Sequence, residues 1–139
     1  MITFVDTNIL IYAHATGNDP RSDQAREQLK RLWNTRTGAV STQVLQEFYS
    51  VATRKLKPKL AKNSARQVIF EYVEWCSVYT DPLLIVAASQ LEEEHSLNFW
   101  DALVIVAALR AGAKQLLSED LQHGRKFGDL VVVNPFFGG

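Results

Sequence analysis

Four acidic residues stand where carboxylates can do chemistry. Asp6 follows a short apolar run in Val5-Asp6-Thr7-Asn8, and Asp120 follows another in Ser118-Glu119-Asp120-Leu121. Asp101 opens an apolar segment in Trp100-Asp101-Ala102-Leu103, and Glu47 lies between these in the chain. Two carboxylates about 5 Å apart repel by roughly 3 kcal/mol at an effective dielectric of about 20. Four that converge must raise their pKa values or hold a cation. An all-oxygen set without His or Cys favours a hard ion, Mg²⁺ or Mn²⁺. Such an ion activates water and stabilises charge on a phosphate, which is phosphodiester hydrolysis without a protein nucleophile.

The elements that must position these acids are readable from periodicity. Ile2 to Val5, Gly38 to Ser41, Ser77 to Tyr79, Gln115 to Leu117 and Leu130 to Val133 read as strands. Those without polar alternation suit a sheet covered on both faces. Pro20 to Arg36 carries Ala25, Leu29, Leu32 and Trp33 at helical spacing, with Asp19-Pro20 as its start. Thr42 to Leu56, Asn63 to Glu74 and Leu83 to His95 read as further helices, the last started by Asp81-Pro82. Asn98 reads as the cap of a helix over Phe99 to Ala111, with Asp101 completing a capping box. That helix is apolar on every face, which predicts burial, and Gly112 supplies a left-handed exit. Alternating strands and helices predict an α/β three-layer sandwich: a mostly parallel central sheet of about five strands flanked by helices, formed as one domain over residues 1–139.

Each acid has a bland reading beside the chemical one. Asp6 and Asp120 follow strands, and ligands bind outside the carboxyl ends of strands in open α/β sheets. Asp101 compensates a helix dipole, or is drawn inward beside Trp100 and the apolar helix. With Val44 at zero, Glu47 falls at about 300° around its helix, at the border of the buried face next to Val51 at about 340°. It is a surface glutamate, a partner of Arg54, or a member of the acid group.

Bulk properties bound the rest. The 139 residues carry 15 Lys+Arg against 15 Asp+Glu, a balance that does not itself point to nucleic acid. Residues 54–66, RKLKPKLAKNSAR, hold six basic residues and no acid. They form a solvated surface or a phosphate-binding edge through Arg54, Lys55, Lys57 and Lys59. The lone Cys76 precludes an internal disulfide and suits a reducing cytosol. No signal peptide and no membrane-spanning run is read, so a cytoplasmic protein is expected. His14, His95 and His123 lack metal-ligand spacing, and Trp33, Trp75 and Phe136-Phe137 read as core or dimer contacts.

Taken in order, Asp6-Thr7-Asn8, Glu47, Trp100-Asp101-Ala102-Leu103, Ser118-Glu119-Asp120-Leu121 and Val132-Val133-Asn134-Pro135-Phe136 resemble the PIN domain, especially its VapC-type toxins. The resemblance covers essentially the whole chain. It implies a Mg²⁺- or Mn²⁺-dependent endoribonuclease, the toxin of a toxin–antitoxin pair, that forms a homodimer and is neutralised by a cognate antitoxin. Carried over by motif, Asp6 and Asp101 are the main metal ligands and Asp120 completes the site. Glu47 binds metal or orients the attacking water, and Thr7, Asn8 and Ser118 support them by hydrogen bonds. A stand-alone RNA-processing nuclease and a metal-holding nucleic-acid-binding module without catalysis are the alternatives. A haloacid-dehalogenase-like phosphatase needs a second acid two residues after the first, where Asn8 stands, and a receiver domain needs an adjacent acid pair after the first strand, which is absent.

Overall fold

The computed structural model describes residues 1–138. Five parallel strands and one short antiparallel edge strand form a sheet in the order β3-β2-β1-β4-β6-β5. The strands are β1 (Ile2–Val5), β2 (Gly38–Ser41), β3 (Cys76–Val78), β4 (Ala113–Leu117), β5 (Lys126–Phe127) and β6 (Leu130–Val133). The sheet thus has one strand more than the sequence suggests. The addition, β5, is two residues long, too short to show any periodicity of its own.

Six α-helices connect them: α1 (Thr7–His14), α2 (Arg21–Thr35), α3 (Thr42–Arg54), α4 (Lys62–Glu71), α5 (Pro82–His95) and α6 (Phe99–Arg110). The steps β1 to β2 and β2 to β3 move outward in one direction, whereas β3 to β4 crosses back over the sheet. Because such crossovers share one hand, the two directions put their helices on opposite faces. Accordingly α1 packs on α2 and α3, and α3 on α4, while α5 packs on α6.

Helix α1 is an element that periodicity does not predict. Its eight residues carry three β-branched side chains and little amphipathic contrast, so local propensity is weak. Burial of Ile9, Leu10 and Ala13 holds it instead. Helix α6 meets the expectation of full burial, with Ala102 through Ala108 all inside, and Gly112 follows it at φ 74°. Its cap differs in detail. Asn98 accepts from the Trp100 N–H at 2.8 Å, rather than forming a reciprocal box with Asp101. Asp81 caps α5 through the Leu84 N–H at 2.8 Å, and Asp19 accepts from the Arg21 N–H at 2.9 Å.

The direction of the strand order reverses between β1 and β4. In a parallel sheet this switch opens a crevice at the carboxyl ends of the two strands. The pairing Val5↔Leu117 places Asp6 beside Ser118 at that crevice.

Candidate active site

Asp6 is the centre of the crevice. It is only 7% exposed, and its Oδ1 caps α1 by accepting from the Thr7 N–H at 2.8 Å. Its Oδ2 accepts from Ser118 Oγ at 2.8 Å and from Asn8 Nδ2 at 3.4 Å. Burial pushes its pKa up to about 6, against the hydrogen bonds from Ser118 and Thr7, and the charges of Asp120 and Glu47 add to the rise.

Asp120 reaches the same place from β4. Ser118 Oγ accepts from the Asp120 N–H at 3.2 Å while donating to Asp6, so one hydroxyl sets both acids. Asn8 closes the bracket: its Nδ2 donates to Asp120 Oδ2 at 3.1 Å and its Oδ1 accepts from the Glu119 N–H at 3.1 Å. The supporting residues expected from the sequence, Thr7, Asn8 and Ser118, all touch an acid of the group.

Glu47 points into the crevice from α3. Its Oε2 accepts from Thr7 Oγ1 at 3.1 Å and its Oε1 from Gln43 Nε2 at 3.0 Å. The sequence leaves open a pairing with Arg54, but that guanidinium bonds Thr53 and lies near the Tyr49 ring. Asp101, in the first turn of α6, is half-buried. Its pKa is raised by burial first and then by the charges of Asp120 and Glu47. Trp100 beside it is 61% exposed.

Two contributors are not evident from the sequence. Gln43 is buried, one helical turn before Glu47, and also reaches the Trp100 carbonyl at 3.4 Å, joining α3 to the head of α6. The i, i+4 spacing of a Gln and a Glu is the available signal. Arg21 binds Asp19 through Nε and NH2 at 3.0 and 2.7 Å, and Glu119 through NH1 at 2.8 Å. Glu119 is far from Arg21 in sequence, so no local pattern announces that pair.

The structure therefore brings all four acids to one end of the sheet, close enough to raise the pKa values of Asp6 and Asp101. Arg54, Lys55, Lys57 and Lys59 lie elsewhere, at and past the far end of α3, and none of the ion pairs among the described residues joins a cation to the four acids. An oxygen-only set carrying this much uncompensated charge suits a hard divalent cation. As they stand, however, no three His, Cys, Asp or Glu side chains among the described residues close on a single ion position. The protein's own donors hold Asp6 and Glu47 in place.

Comparison with known proteins agrees with this architecture. The PIN domain family model matches residues 3–126, and the chain belongs to that family. No curated protein matches it in sequence. Among solved structures it resembles a toxin–antitoxin complex from Klebsiella pneumoniae, with TM-score 0.66 and 18% identity over 96% of this chain and 98% of that one. It also resembles VapC20 of Mycobacterium tuberculosis, described as a sarcin-ricin loop cleaving toxin, with TM-score 0.64 and 21% identity over 85% and 91% of the two chains. VapBC2 from Rickettsia felis, bound to a DNA fragment from its promoter, gives TM-score 0.65 and 18% identity over 95% and 97%. At these identities the likeness is one of fold.

Proposed function

We propose that this chain is a divalent-metal-dependent endoribonuclease and the toxin of a toxin–antitoxin pair. The observation that carries the reading is the buried Asp6, with its pKa raised to about 6, beside Asp120 at the β1–β4 switch and faced by Glu47 and Asp101. Membership of the PIN family and likeness in fold to toxin structures support it.

In this reading Asp6, Asp101 and Asp120 hold Mg²⁺ or Mn²⁺, with Glu47 completing the set. When bound, the ion lowers the pKa of water and offsets charge on the phosphate. The chain's own groups do the rest. Ser118 and Asn8 keep Asp6 and Asp120 side by side. Thr7 and Gln43 fix both oxygens of Glu47, which leaves its remaining lone pairs free to orient a water for in-line attack. Lys55, Lys57 and Lys59, all exposed, bind RNA phosphates with Arg54.

The partners in this reading are RNA, a cognate antitoxin and a second copy of the chain. Exposed Leu83 and Val86, three residues apart on α5, with Tyr79 just before it, support an association surface. No described helix is long and apolar enough to cross a membrane.

The test is cleavage of RNA by the purified protein with Mg²⁺, with EDTA, and as Asp6→Asn. Cleavage that needs the ion and disappears in Asp6→Asn is expected. Metal-dependent cleavage retained by Asp6→Asn overturns the site assignment.

A further inference from the structure

A cavity of about 340 Å³ opens beside the acids, between α1, α3 and the loop after β4. Ile11, Tyr12 and Val51 form its apolar walls, and Glu47, Glu119 and Asp120 supply its polar edge. The amide and threonine donors around it are already spent inside the protein. Thr7 Oγ1 serves Glu47, and Asn8 Nδ2 serves Asp6 and Asp120. Glu119 accepts Arg21 NH1 on one oxygen at 2.8 Å, and a carboxylate offers about four lone-pair sites in all. The cavity thus presents carboxylate acceptors, two aliphatic walls and one aromatic wall, and asks its occupant for donors.

The cavity also lies on a path that an RNA strand can follow. Helices α1 and α3 both begin at the acids and pack against each other. Beyond their far ends, Gly17 lies against the Lys57 carbonyl, so the basic loop borders the same face. At a rise of 1.5 Å per residue, about 12 Å of helix separates Glu47 from Lys55.

We infer that this cavity is a nucleobase subsite in which Glu119 reads a guanine next to the scissile phosphate, an inference that rests on the ribonuclease reading above. Guanine is the base with two neighbouring donors, N1–H and the N2 amine, which meet a carboxylate side by side. Uracil offers a single N3–H donor flanked by two carbonyl oxygens, so one carboxylate oxygen is left facing an acceptor, a mismatch that is costly when desolvated. Arg21, clamped between Asp19 and Glu119 and lying 4.5 Å from the centre of the Tyr12 ring, holds the reading carboxylate and the aromatic wall in place.

The experiment is digestion of a random-sequence RNA pool with Mg²⁺, followed by sequencing of the new ends. Guanine is expected over uracil by about tenfold at one position bordering the cut, the discrimination of one good bidentate contact. Replacing that guanine by inosine, which lacks the N2 amine but keeps N1–H, lowers kcat/KM by about fivefold for the unaltered protein, so the result does not depend on any variant folding. In Glu119→Gln the guanine-to-uracil ratio of kcat/KM falls towards one, and Val51→Trp, which fills the cavity, raises KM. Ion-dependent cleavage without base preference at the cut overturns the subsite and leaves the nuclease standing. Guanine preference unchanged in Glu119→Gln overturns the role of Glu119, and absence of any ion-dependent cleavage overturns both readings.

Discussion

Gln43 donates its amide Nε2–H to Glu47 Oε1 at 3.0 Å, from a buried position one turn earlier on the same helix. Thr7 Oγ1 binds the other oxygen at 3.1 Å, so the carboxylate is held from two elements. Gln43→Leu removes one clamp while keeping the volume close. Glu47 then swings, and the Mg²⁺ concentration for half-maximal cleavage rises by about fivefold to tenfold, the worth of one hydrogen bond of about 1 kcal/mol. Titration of activity against Mg²⁺ checks this. The same loss lowers stability only modestly, so a large fall in Tm with unchanged Mg²⁺ dependence would argue for a purely structural glutamine.

Asp6 makes the metal-free fold sensitive to pH. Its folded pKa, about 6, lies above the ordinary 3.8, so the folded state holds its proton longer than the unfolded chain. Its contribution is therefore most favourable below about pH 4 and is lost as pH rises through about 6. The full shift corresponds to about 3 kcal/mol at neutral pH. Asp6→Asn, which cannot ionise, raises the Tm of the metal-free protein at pH 7.5 while abolishing cleavage. A thermal melt in EDTA at about pH 7.5 in which the Asp6→Asn variant is less stable than the wild type would contradict this.

His14 acts in the opposite sense. Burial, with the nearby Arg26 charge, pushes its pKa down to about 4, and Nε2 lies 2.9 Å from the Tyr72 hydroxyl. The neutral ring is favoured in the fold, so the unfolded chain takes up the proton first. Stability from this group is present above about pH 6.5 and is lost as pH falls towards about 4. His14→Gln flattens that acid-side loss, read by urea unfolding at about pH 4.5 and about pH 7. An acid-side slope identical to the wild type would remove His14 from the account.

The exposed basic loop predicts a salt-dependent effect. Replacing Lys55, Lys57 and Lys59 together with Ala weakens RNA binding most at low salt. If each contacts one phosphate of a single strand, the slope of log K against log salt changes by about 2. Filter binding of an RNA oligonucleotide to Asp6→Asn protein, with and without the triple substitution, measures it without cleavage. An unchanged slope excludes the loop from the interface.

Gly38 predicts a purely structural effect. A Cβ there would lie 2.5 Å from the Trp75 ring, which itself packs tilted against Trp33 with ring centres 4.4 Å apart. Gly38→Ala displaces that ring and costs about 1–3 kcal/mol by overpacking. Chemical denaturation reads the loss directly, and a variant as stable as the wild type would show that the indole moves freely.

What the sequence reveals and what it conceals divide along the range of the interactions. The strand ends at Asp6 and Asp120 follow from apolar runs stopped by acids, and β1 and β4 prove to be neighbours. The caps at Asp81 and Asn98 are local, and both are found. Helix α1 is hidden because its short, largely apolar and β-branched run has no helical stripe to read. Glu47 is legible only as a border position, because Thr7, which fixes one oxygen, is forty residues away in sequence. Arg21–Glu119 spans ninety-eight.

The crevice between β1 and β4 is also a seam in the chain. The chain up to His95 supplies β1, β2 and β3 with Asp6 and Glu47, and the chain from Phe99 onward supplies β4, β5 and β6 with Asp101 and Asp120, with α5 packed on α6 across the division. A cut in the Ser96–Asn98 turn would leave two fragments, each with half of the acids. Neither fragment alone would hold the full set, and their reunion would report itself as activity, which makes the turn between α5 and α6 the natural place to split this protein into a conditional, two-part tool.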